Sequence, residues 1–199
     1  MSHQRPTSTE QSVSRASSVA ASAGLGVVAA LLGYLVTFLF AASEVRSAFG
    51  DDVAGWKGVA WYFYNAHLVE LEATGDVAGF GGTTTIDLIA QSDTTRVTLL
   101  YAVPPVVLLG IGALLAYHFG ARDIGEAVVV GAPVTLGYVV VLAVGAVVSE
   151  TSTESEFLGI QASGSIAPEL LPAILLGGLL FPLVFATTGA VLAAVVQSR

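Results

Sequence analysis

His67 and Glu70 stand three residues apart, with Glu72 close behind. On a helix this spacing brings an imidazole and a carboxylate to one face, where they could hold a metal ion. Two ligands do not complete a site, and His3 lies far off in the N-terminal segment. A lone histidine in such a setting is more often packed or hydrogen-bonded. No nucleophile–base–acid set, P-loop or G-x-G-x-x-G stretch accompanies it. The chain has no cysteine, which removes thiolate sites, cysteine nucleophiles and disulfides. The expectation is a non-enzymatic protein with no catalytic, cofactor-binding or metal-binding residue and no cofactor.

A second group of residues suits binding better than catalysis. Trp56, Trp61, Tyr62, Phe63, Tyr64, Asn65 and His67 crowd into twelve positions. Trp56, Val59, Ala60, Phe63, His67 and Leu71 follow helical spacing, while Trp61, Tyr62 and Tyr64 fall off that stripe. Amphipathic aromatic rings are favoured at a membrane interface. The segment is therefore a candidate contact for a partner or for lipid. His118, Arg122, Asp123 and Glu126 form a further polar group, read either as a partner contact or as an ordinary solvated turn.

Those residues need elements to hold them. Four uncharged apolar runs, 19–42, 97–119, 127–149 and 170–197, each meet the rule of about 20 residues for a membrane crossing. Only 11% of the chain is charged, too little to cover a soluble globular surface. The net charge of −8 argues against nucleic-acid partners, which need a basic footprint. The runs hold no ionisable residue in their central stretches, so a proton- or sodium-coupled pump is disfavoured. Pro104-Pro105, Pro133, Pro172 and Pro182 fall within them. They mark either broken helices lining a path or ordinary tolerated prolines, with Pro182 the candidate kink. Small residues four apart, as in Gly26/Ala30, Gly112/Ala116 and Gly189/Ala193, suit close helix packing.

The fold expected is all-α: a four-transmembrane-helix bundle with a short interfacial helix at 52–69, inside an extracellular loop at 43–96. Asp51 and Asp52 are placed to cap that helix. A small hairpin fits 68–90, and 150–167 reads as irregular. Residues 1–17 read as a disordered cytoplasmic tail, and 18–199 as a single membrane domain. Arg5, Arg15, Arg122 and Arg199 sit in short segments on one side, whereas Arg46, Lys57 and Arg96 are diluted in long loops. The positive-inside rule therefore puts both termini in the cytoplasm of a multi-pass cell-membrane protein.

The stretch Gly55-Trp56-Lys57-Gly58-Val59-Ala60-Trp61-Tyr62-Phe63-Tyr64-Asn65-Ala66-His67 resembles a motif of a family of haloarchaeal four-span membrane proteins. That family is of unknown function, with members loosely labelled as transporters. Acidic, lysine-poor composition agrees with the resemblance, which implies no catalytic residue. Two functions follow as expectations. One is an accessory or scaffold protein whose partners are the bilayer and another membrane protein or a second copy. The other is a small transporter or pore subunit.

Overall fold

The computed structural model describes residues 8–157 and 160–198. Five helices and four strands follow in the order α1 (Ser8–Phe49), α2 (Gly55–Asn65), β1 (Leu71–Val77), β2 (Phe80–Ile86), α3 (Thr95–Phe119), α4 (Ile124–Val148), β3 (Thr151–Phe157), β4 (Ile160–Pro168) and α5 (Leu170–Gln197). Helices α1, α3, α4 and α5 are long and apolar enough to cross a membrane, with mean hydropathy of 2.2–2.3. Of the tail expected at 1–17, residues 1–7 lie outside the described residues, and from Ser8 the chain is helical.

Local chemistry explains most of the helix ends. Helix α1 runs past its apolar stretch through Glu44 and Arg46, and stops at Gly50, whose φ of 56° suits a helix C-terminus. Asp51 and Asp52 therefore follow α1 and do not cap α2. The N-cap of α2 is Ala54, without a side-chain bond, and the helix spans 55–65 rather than 52–69. Helix α3 opens with a helical turn and a 3-10 turn, then becomes α-helical at Val103. Pro104 and Pro105 thus sit in a first turn, where a missing N–H costs little. Asp123 caps α4 by accepting from the Glu126 amide at 2.9 Å, and Glu126 accepts from the Arg122 amide at 2.9 Å. This is a reciprocal capping box one residue-step displaced. Helix α4 is interrupted at Ala132–Pro133. Helix α5 winds as a π-helix over Ala173–Leu180 and becomes α-helical at Phe181, so Pro182 sits at a change of winding.

The long helices meet through glycine. A Cβ on Gly26 would overlap the Val134 carbonyl, and one on Gly137 the Ala23 carbonyl, which fixes the α1–α4 crossing. Gly112 meets the Ala186 carbonyl and Gly189 the Leu109 carbonyl where α3 packs on α5. Backbones this close need small residues on the facing surfaces. Leu31, Leu39, Val106, Leu136, Val144 and Leu192, among others, remain exposed on the outer surface.

The all-α expectation is wrong. The four strands form one antiparallel sheet in the order β2-β1-β4-β3. The hairpin anticipated within 68–90 does form, as β1–β2. Residues 151–168, read as irregular, form a second hairpin, β3–β4. The two hairpins come from different inter-helix segments and join through β1 and β4, from Leu71↔Pro168 to Val77↔Ala162. The β3 sequence Thr-Ser-Thr-Glu-Ser-Glu-Phe has no apolar alternation. Its order comes from backbone pairing with β4, which a local pattern cannot reveal.

Candidate functional site

Helix α2 is apolar or aromatic on every side, and a helix of that kind is buried. Its residues from Gly58 to Asn65 are all buried. The helix lies buried within the protein rather than on its outer surface. One face, with Ala60, Phe63 and Tyr64, joins the main core formed by α1, α3, α4 and α5. The other, with Val59, Tyr62 and Ala66, packs on Ala41, Val45, Ile89, Val97 and Leu100.

Several polar side chains along this helix have defined partners. Trp61 Nε1 donates to the Ser149 carbonyl at 3.0 Å, and Lys57 Nζ donates to the Glu150 carbonyl. Both carbonyls lie at the C-terminal end of α4, where helical acceptors lack internal partners and a cation is favoured. The Tyr64 hydroxyl donates to the Leu142 carbonyl at 2.6 Å. Asn65 donates through Nδ2 to the Val69 carbonyl and accepts at Oδ1 from the Leu88 amide, both at 2.9 Å. It thereby ties the end of α2 to both sides of the first hairpin. Phe63 lies edge-on to Tyr34 of α1, and Trp61 edge-on to Phe49.

His67 reaches deepest. It is fully buried, with Nδ1 2.7 Å from the Phe63 carbonyl and Nε2 2.7 Å from the Tyr138 hydroxyl. A carbonyl only accepts, so Nδ1 carries the proton and Nε2 accepts from Tyr138. Its ring also lies 5.2 Å from that of Phe181. Tyr138 and Phe181 stand near the midpoints of α4 and α5, so the imidazole sits about halfway along the bundle. Burial pushes its pKa down to about 4, against a smaller opposing effect of the Phe63 carbonyl. Both ring nitrogens are occupied, so no lone pair remains for a metal. Glu70 is exposed, and the His67–Glu70 pair does not form a site. Among the described residues no group of three metal-binding side chains occurs.

The structure thus brings Trp61, Tyr62, Phe63, Tyr64, Asn65 and His67 together, but as a plug facing their own chain. Trp56 alone of the candidate contact residues is substantially exposed, at 47%, with Lys57 Nζ 5.6 Å from its ring centre. Pro182 is buried on α5 beside Phe181. Tyr138 was missed from sequence. Its signal was its isolation as the sole aromatic residue of 127–149.

Exposure lies instead on the sheet. Leu71 at the base of β1 is buried, whereas Val77 at its tip is 55% exposed and Phe80 on β2 is 87% exposed. Along β2 every residue up to Thr85 is exposed. Glu154 and Glu156 on β3, with Asp76 on β1, line an acidic cleft of about 400 Å³ toward the far end of the sheet.

A family model described as "Family of unknown function (DUF7978)" matches residues 1–197. No curated protein and no solved structure matches the chain.

Proposed function

The chain belongs to this family of unknown function, and from that premise we propose that it is a non-enzymatic scaffold of the cell membrane. Its four long apolar helices cross the bilayer, both termini are cytoplasmic, and the sheet is an external contact head. The observation that carries this reading is the division of labour between plug and sheet. The polar ties of α2 and His67 run from the end of α4 to the middle of the bundle, while the tips of the joined hairpins stand exposed. The acidic, lysine-poor composition supports the finer likeness to haloarchaeal membrane proteins.

A small transporter is the rival reading. The His67–Tyr138 pair beside the π-wound part of α5 favours it, because polar pairs and irregular winding recur in transport paths. Leu142, Val69 and the Cβ of His67 converge on Gly177 beside that pair, and Leu142 and Val69 are fully buried. Such dry packing favours the scaffold.

The cysteine-free chain allows a direct test of orientation. In intact cells a membrane-impermeant thiol reagent should label Asp76→Cys and Ser155→Cys but not Arg122→Cys. Labelling of Arg122→Cys would reverse the orientation and place the sheet inside.

A further inference from the structure

Strands β2 and β3 are the two edges of the sheet. Natural edges are usually guarded by charge, proline or a bulge, because their unpaired amides and carbonyls recruit other strands. The β3 edge carries Glu154 and Glu156. The β2 edge, Phe-Gly-Gly-Thr-Thr-Thr-Ile, has no charge and no proline, and pairs with β1 in unbroken register from Leu71↔Ile86 to Val77↔Phe80. Among the described residues nothing covers it.

We propose that β2 is a self-pairing edge, which joins two copies of the chain across a two-fold axis at Thr83. This proposal rests on the reading of the sheet as a contact head and names its partner. Three features select this register. First, Ala78 and Gly79 both have positive φ and form a two-residue turn, so the flanking pair Val77↔Phe80 is hydrogen-bonded. Hydrogen-bonded and non-bonded pairs then alternate, which turns the amides and carbonyls of Gly81, Thr83 and Thr85 away from β1. An antiparallel axis at Thr83 pairs Thr83 with itself and Gly81 with Thr85, so every outward group is used. Axes at Gly82 or Thr84 would face groups already bonded to β1.

Second, Phe80 and Ile86 lie on one sheet face, six residues apart and equidistant from Thr83. The two-fold sets the Phe80 of each copy against the Ile86 of the other, which covers Phe80, an apolar side chain that is 87% exposed. Third, charge permits β2–β2 contact and opposes β3–β3 contact, where Glu154 and Glu156 of two copies would meet. Pairing of β2 with β3 would leave free edges and propagate as an open fibre, whereas the two-fold closes.

The test uses the full chain with single cysteines and a short bifunctional thiol reagent, in detergent and in native membranes. Thr83→Cys should give a covalent dimer. Thr85→Cys, offset from its own copy by the register, and Ser155→Cys on the acidic edge should give at least tenfold less. Adding Phe80→Asp to Thr83→Cys should reduce the dimer about tenfold. Thr83→Cys protein that stays monomeric, crosslinks no better than Ser155→Cys, or is captured by a different protein would overturn the pairing. Impermeant labelling of Ser155→Cys, on the sheet edge opposite the pairing, is run alongside in intact cells. Labelling without a dimer defeats the pairing alone, whereas absent labelling defeats the external-head reading and leaves the detergent result to decide the pairing.

Discussion

A histidine halfway along a helix bundle, with both nitrogens bonded, is held in its neutral form. The folded protein binds a proton there only near pH 4, whereas a solvated imidazole binds one near 6.5. Between these values the unfolded chain carries more protons, so stability falls as the pH is lowered and is fully present above 6.5. The loss amounts to about 3 kcal/mol at this group. Unfolding of the detergent-solubilised protein, measured from pH 7 to pH 4, should show that decline. His67→Gln should flatten it, and Tyr138→Phe should cost about 1 kcal/mol at neutral pH. If wild type and His67→Gln decline in parallel, His67 is not the titrating group. At this scale the sequence singled out residues that the structure gathers together, and mistook the direction in which they face. Trp61, Tyr62 and Tyr64 suit a membrane interface by chemistry, but with Val59, Ala60 and Phe63 they leave α2 no polar face to turn outward.

Among the elements, helix crossings were more legible than strands. The four-residue spacing of Gly112/Ala116 and Gly189/Ala193 pointed to packing, and the glycines of those pairs sit against backbone carbonyls of facing helices. Gly112→Leu should therefore force α3 from α5 and destabilise the fold by about 1–3 kcal/mol or more. Gly110→Leu is the control. It lies two positions away on the same helix, where an added Cβ meets nothing within 4 Å, and should leave the melting temperature nearly unchanged. Equal losses from the two variants would mean that leucine itself, rather than the crossing, does the damage. The second hairpin left no such trace. Thr153, Glu154 and Ser155 are polar on both faces, and their strand depends on β4, which in turn depends on β1 from a segment about ninety residues earlier.

At the scale of the molecule, the halves of the chain are joined by more than the turn between α3 and α4. Helix α1 packs on α4, α3 packs on α5, and β1 pairs with β4. Each contact runs from residues before Ala121 to residues after it. The turn itself is exposed at Arg122 and Asp123 and contributes mainly the Asp123–Glu126 cap. Helices that insert separately can still associate when their facing surfaces match. Co-expressed fragments 1–121 and 122–199 should therefore co-purify in mild detergent and retain the mass of one intact chain, or of two where the β2 edges pair. The fragment 1–121 alone leaves the inner edge of β1 and the Trp61, Tyr64 and His67 ties without their α4 partners, so it should aggregate. Placing Gly189→Leu on the second fragment should abolish co-purification, because no covalent link then holds α5 against α3. Fragments that purify separately as stable, monodisperse species would show that each half folds alone. In that case the shared sheet would be a late docking of two finished units rather than the joint that completes both.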